Sequence, residues 1–294
     1  MGAAGFGSLA AMKRVALPLL VLSSVTLAAA PPTPRLGGPD VPQPVAGIAR
    51  ALRFPHPLGD AFLLRPARCS PACPLVVVSH SRGMTAGESL TRPHLRSLFT
   101  RLTGAGYAVL VSNDAGATTW GAPQALTYNA DMRHRAIRTF AFNGRTYNFG
   151  YSMGGLPALL AAYMPVYPVS GVVLLDAQVS LLDVWRGVNP KFREDIRVAH
   201  GLGTRAALPA NRDPVTFAGS AVTRVPLLVA GSPEDQAVPF GRNGEAIFRR
   251  AASPESRLLR LPGPHLGGSH FGDKFVNPML TFLNRLERQA GGKS

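Results

Sequence analysis

Four stretches of this chain are unbroken apolar runs with no polar alternation: CPLVVVSH (73–80), YAVLVSND (107–114), VSGVVLLDA (169–177) and VPLLVAGS (225–232). A strand that faces water on one side alternates polar and apolar residues. A strand read as continuously apolar is covered on both faces, which is the habit of parallel sheets. Between the runs lie segments with helical spacing and helix stop signals, such as RPHLRSLFTRLTGAG (92–106), GAPQALTYNADMRHRAIRTF (121–140) and GGLPALLAAYM (154–164). Strands separated by helices imply a mostly parallel sheet with helices on both faces, an α/β fold.

RALRFP (50–55) and DAFLLRPA (60–67) read as an antiparallel pair around Pro57–Gly59 that precedes these strands, and RTYNFG (145–150) reads as a short strand between them. The rhythm breaks after the sixth strand so counted, where residues 177–222 read as a small helical insertion or cap. GRNGEAIFRRAA (241–252) is helical, SRLLRLPG (256–263) is a last strand, and Asn277 is expected to cap a final helix with Pro278 as its first residue. No unit of 20–50 residues repeats, which argues against solenoids and propellers. With 46% hydrophobic and 16% charged residues in 294, the chain has material for one large core.

Lys13 and Arg14 precede VALPLLVLSSVTLAAA, an uncharged run of about 16 residues ending in small side chains. It is short of the roughly 20 residues that span a bilayer, so residues 1–30 read as a secretory signal cut near Ala28–Ala30 rather than a retained anchor. Residues 31–46 are then a Pro/Gly-rich linker before a domain over 47–294, and the mature chain is expected outside the cytoplasm or in the periplasm, as a monomer. In such a compartment Cys69 and Cys73 are expected to close a small disulfide loop. They have no neighbouring His or Cys to make a zinc site, and no metal is expected. The net charge is +15, yet the arginines are scattered and no nucleic-acid module is recognisable, so the charge reads as a solvated surface.

Gly150-Tyr151-Ser152-Met153-Gly154 matches G-x-S-x-G between an expected strand and an expected helix. Glycines two before and two after let backbone pass close to a strained turn, which lifts the serine to the top of the sheet at a helix N-terminus. The alternative is a plain Gly-rich bend. A nucleophilic serine needs a base and the base an orienting acid, here expected at later strand ends, acid first. Asp235 in PLLVAGSPEDQAVP is the chosen acid, with Glu234 and Asp176 as rivals. Only His265 and His270 follow it. His270, in the flexible GGSHF, is favoured, because Pro264 stiffens the chain at His265. The oxyanion donors are expected to be the N–H groups of Met153 and of Arg82, with Ser81 second to Arg82. Tyr151 and Trp120 are weaker substrate-binding candidates, and Trp185 belongs either to a lid or to its core.

These segments, VVVSH, GYSMGG, LLVAGSPEDQAVP and a late Gly-rich histidine loop, resemble in that order the α/β-hydrolase superfamily. Within it they are similar to secreted dienelactone-hydrolase-like and polyester-hydrolase-like serine esterases. The resemblance covers most of residues 60–290 and implies a cofactor-free esterase with a small or polymeric ester substrate and no nucleic-acid partner. One departure is His80-Ser81, where relatives carry His-Gly after the oxyanion strand. Amidase, peptidase or perhydrolase chemistry, or a non-catalytic binding protein on the same scaffold, are the competing readings.

Overall fold

A computed structural model describes residues 42–45, 47–48, 50–204, 206–217 and 224–291. The segment read as a signal lies outside them. The described strands form one sheet: β1 (Gln43–Pro44), β2 (Ala51–Phe54), β3 (Ala61–Leu64), β4 (Cys73–Ser79), β5 (Ala108–Val111), β6 (Phe142–Tyr151), β7 (Gly171–Leu175), β8 (Leu227–Gly231) and β9 (Arg257–Arg260). Their order across it is β1-β2-β3-β5-β4-β6-β7-β8-β9. β1, β2, β3 and β5 pair antiparallel in succession, and every pair from β5 through β4 to β9 is parallel.

Helices α1 (Ala86–Thr91), α2 (Pro93–Gly104) and α8 (Asp273–Gly291) cover one face of the sheet. Helices α3 (Pro123–Ile137), α4 (Gly155–Tyr163) and α7 (Gly244–Phe248) cover the other. The split follows the two-residue period of a strand. In β4, Val76 and Val78 join the core under α2 and α8, while Leu75 and Val77 join the core under α3. All residues of β4, β5, β7 and β8 are buried, as their unbroken apolar runs require.

Two boundaries differ from expectation. β1 lies inside the segment read as linker, so the insertion follows the seventh strand. A two-residue strand carries too little pattern to be seen in sequence. The insertion holds α5 (Leu181–Arg186) and α6 (Pro190–Ala199). The last helix starts at Asp273 rather than Pro278, which lies inside it. Phe275 and Val276 are wholly buried there, and their burial extends the helix a turn ahead of the proline. Cys69 and Cys73 are joined by a disulfide, at the end of the sheet where β4 begins. No helix among the described residues is long and apolar enough to cross a membrane.

Candidate active site

β6 ends at Tyr151, and Ser152 opens a single 3-10 turn that leads into α4. Ser152 has φ +52°, a left-handed conformation that costs a non-glycine residue about 1–3 kcal/mol and persists only where its surroundings enforce it. The two glycines are demanded by space. A Cβ on Gly150 would stand 2.3 Å from the carbonyl oxygen of Gly154, and one on Gly154 would stand 2.2 Å from that of Ser79. The turn is thus pressed against the end of β4.

Ser152 Oγ lies 2.9 Å from Nε2 of His265. The other ring nitrogen, Nδ1, lies 2.6 Å from Oδ2 of Asp235. Asp235 is buried in the loop after β8, and its Oδ1 accepts the N–H groups of Ala237 and Val238, both at 2.8 Å. Every lone-pair direction it uses is met by a donor, which stabilises the carboxylate in a buried place. Glu234 beside it is exposed.

The favoured histidine is therefore corrected: His265, not His270, meets Ser152. Pro264 helps rather than hinders. Its carbonyl accepts Gly267 N–H at 2.9 Å, closing a tight turn that presents His265, and Leu266 in that turn has φ +50°. The Gly-rich sequence after it forms a 3-10 turn over Gly268–Phe271 that carries His270 into the interior, where it has no exposed surface. There His270 Nδ1 lies 2.5 Å from Oδ2 of Asp176. The rival acid and the favoured histidine are paired with each other.

Ser152 and His265 line a cavity of about 550 Å³, together with Met153, Arg82 and Trp120. Val184 and Phe192 of the insertion form part of its wall, so α5 and α6 make a cap over the serine. The cap core, with Leu181 and Ile196, is continuous with Trp120, Met153 and Leu156. Trp120 is 3% exposed, and its ring centroid lies 5.5 Å from that of Phe192. It anchors the cap more than it offers a platform. Trp185 packs into the cap cluster. Tyr151 is not a cleft residue. Strand alternation turns it to the other face of the sheet from Ser152's cavity, where its ring packs on Phe271 and its hydroxyl meets Ser89 Oγ at 3.2 Å. Burial pushes its phenol pKa up.

Two ion pairs tether the cap. Arg82, in the loop after β4, binds Asp195 of α6 through Nε at 2.8 Å and through Nη2, with its guanidinium over the Phe192 ring at 4.7 Å. Arg242 meets Asp183 of α5 at 3.0 Å. The start of the Arg82 loop is fixed by Asp114, a buried residue at the end of the β5 run. Asp114 accepts Ser79 Oγ at 2.9 Å, His80 N–H at 3.1 Å and Asn129 Nδ2 at 2.9 Å. His80 is fully buried, its ring nitrogens facing the carbonyl oxygens of Ser81 and Asn113, and Ser81 after it is half-buried. Asp114 and Asp195 escaped the sequence reading. The polar strand end SND marked the first, whereas nothing in the sequence marks the second, whose partner is 113 residues away.

The fold is that of the α/β hydrolases, and solved structures of that class match most of the chain. Est1E from Butyrivibrio proteoclasticus matches with a TM-score of 0.62 at 18% identity, over 82% of this chain and 100% of that one. The fluorophosphonate-binding serine hydrolase FphF from Staphylococcus aureus matches with a TM-score of 0.62 at 16% identity, over 79% and 96%. An esterase from the fungus Rhizomucor miehei matches with a TM-score of 0.62 at 15% identity, over 85% and 87%. No protein-family model matches the sequence, and no curated protein matches it.

Proposed function

We propose that this chain is a serine hydrolase that cleaves small carboxylic esters through an acyl-enzyme. The observation that carries the reading is the unbroken line Ser152 Oγ–His265 Nε2–His265 Nδ1–Asp235 Oδ2, at 2.9 and 2.6 Å, on the wall of the capped cavity. Ser152 Oγ attacks the ester carbonyl while His265 Nε2 takes its proton. Asp235 holds the ring with Nδ1–H toward itself and stabilises the imidazolium. His265 then gives the proton to the leaving alcohol, and the same steps with water in place of serine release the acid.

The N–H groups of Met153 and Arg82 are assigned to the oxyanion. Both residues border the cavity beside Ser152. A cavity of about 550 Å³ under a tethered cap takes a ligand of small-molecule size, which favours a small ester over an extended polymer. A non-catalytic scaffold would be supported by a pocket blocked at Ser152, but Ser152 borders open space. The Cys69–Cys73 disulfide is in keeping with an oxidising compartment, and so with export.

The test is covalent labelling with a fluorophosphonate, followed by kinetics on p-nitrophenyl esters, an anilide and a peptide. Intact protein should take up one label and hydrolyse the short esters. Ser152→Ala should take up none, and His265→Ala should lose roughly four orders of magnitude or more in kcat. No label, or an active Ser152→Ala variant, overturns the reading. A preference for the anilide would change the reaction to amide cleavage.

A further inference from the structure

Asp176 and His270 are a second carboxylate–imidazole pair, which acyl transfer by Ser152 does not use. Both side chains have no exposed surface. Burying two ionisable groups is expensive unless their geometry is well served, and three contacts show what this pair serves. Asp176 Oδ2 accepts the N–H of Leu266, the residue after His265, at 2.7 Å. The same oxygen faces His270 Nδ1 at 2.5 Å, and His270 Nε2 lies 3.0 Å from the carbonyl oxygen of Pro262. The loop that carries His265 is thereby fastened at positions 262, 266 and 270 to one buried pair.

Asp176 is itself held firmly. Its N–H donates to Ala230 of β8 at 2.9 Å, and its backbone has φ +44°, a strained setting for aspartate. A carboxylate oxygen of Asp176 lies within 4.8 Å of the Asp235 carboxylate and of a ring nitrogen of His265. The pair therefore stands directly behind the Ser152–His265–Asp235 line and not in remote core.

We propose that Asp176 and His270 are positioning residues for His265: they hold the loop so that the imidazole stays aligned between Ser152 and Asp235. The proposal rests on the hydrolase reading above. Its test uses the full chain with Asp176→Asn, His270→Ala and His270→Gln, read in two ways. The first is steady-state hydrolysis of p-nitrophenyl acetate. Misalignment should lower kcat roughly ten- to hundredfold and leave KM within about twofold. His270→Gln keeps an N–H for Asp176 and should recover part of the loss seen in His270→Ala. The second needs no turnover: the downfield proton resonance of the His265–Asp235 hydrogen bond, assigned with His265→Gln, should shift or broaden in Asp176→Asn while the remaining spectrum stays folded.

If His270→Ala does not fold, His270→Gln and Asp176→Asn decide the matter by the same two readouts. Folded variants with parental kcat and an unmoved His265 resonance overturn the proposal. So does a loss of activity that matches the fraction of unfolded protein. Should the parent hydrolyse no ester, the hydrolase reading fails while the resonance still judges the positioning role.

Discussion

Ser152 stands at φ +52° with two glycines around it that have no room for a side chain. Gly154→Ala puts a methyl group 2.2 Å from the Ser79 carbonyl oxygen, a clash that only backbone movement relieves. We expect a loss of about 1–3 kcal/mol or more in a denaturant melt. The loss of fluorophosphonate labelling should be out of proportion to the loss of fold, because the movement displaces Ser152. The serine was legible in sequence because its surroundings are local: strand, glycine, glycine and helix lie within a few residues. The histidine was not. His265 and His270 are five residues apart in one loop, and what separates them is long-range. One meets a serine 113 residues earlier, and the other an aspartate 94 residues earlier. Chain stiffness at Pro264 suggested the wrong partner because a tight turn needs that stiffness.

The cap joins the body through a few side chains, and its behaviour belongs to the element. Arg82→Ala keeps the backbone N–H but removes the tie from the β4 loop to α6. KM should rise several-fold while kcat changes far less than the roughly hundredfold that loss of an oxyanion donor brings; Asp195→Ala should give the same pattern. Near-equal loss of kcat and kcat/KM in Arg82→Ala would mean that the guanidinium itself meets the transition state.

His200 closes α6, with Nε2 3.1 Å from the carbonyl oxygen of Trp120. Burial holds its pKa below the ordinary imidazole value, and Arg212 pushes the same way against the opposing pull of that carbonyl. The unfolded chain thus takes the proton first. Stability from this group is full above about pH 6.5 and is lost as pH falls from there through the folded value. Protection of the α6 amides, taken as the ratio of intrinsic to observed exchange rate, should fall as pH drops through that window, and His200→Gln should flatten the dependence. The cap was legible as a helical break in rhythm but not its attachment, since the Arg82–Asp195 and Arg242–Asp183 pairs, the Trp120–Phe192 packing and the His200 contact are long-range and leave no periodic trace.

Across the whole molecule the sheet separates two tasks. Its carboxyl end carries Ser152, Asp235 and His265, and the opposite end of β4 is closed by the disulfide. A bridge spanning four residues constrains little chain, so Cys69→Ser with Cys73→Ser should cost no more than about 2 kcal/mol. Thermal melting should fall by a few degrees and ester turnover at room temperature should be unchanged. Any sizeable effect on kcat would show that strain travels the length of β4. The sheet was readable in advance because a strand covered on both faces has no choice but to be apolar throughout. β1 and the start of α8 were not, since one is too short for a pattern and the other is fixed by what Phe275 and Val276 touch.

The histidine loop is fastened from across the sheet, which makes it a poor module. Residues 262–271 cannot be moved into another hydrolase without an aspartate at the position that Asp176 holds here, because the loop without its anchor loses the hydrogen bonds at Leu266 and His270 together. For anyone taking the histidine loop from this scaffold, the unit of transplantation is the loop plus one residue nearly a hundred positions upstream. Chimeras that respect the loop boundaries alone should come out folded and slow.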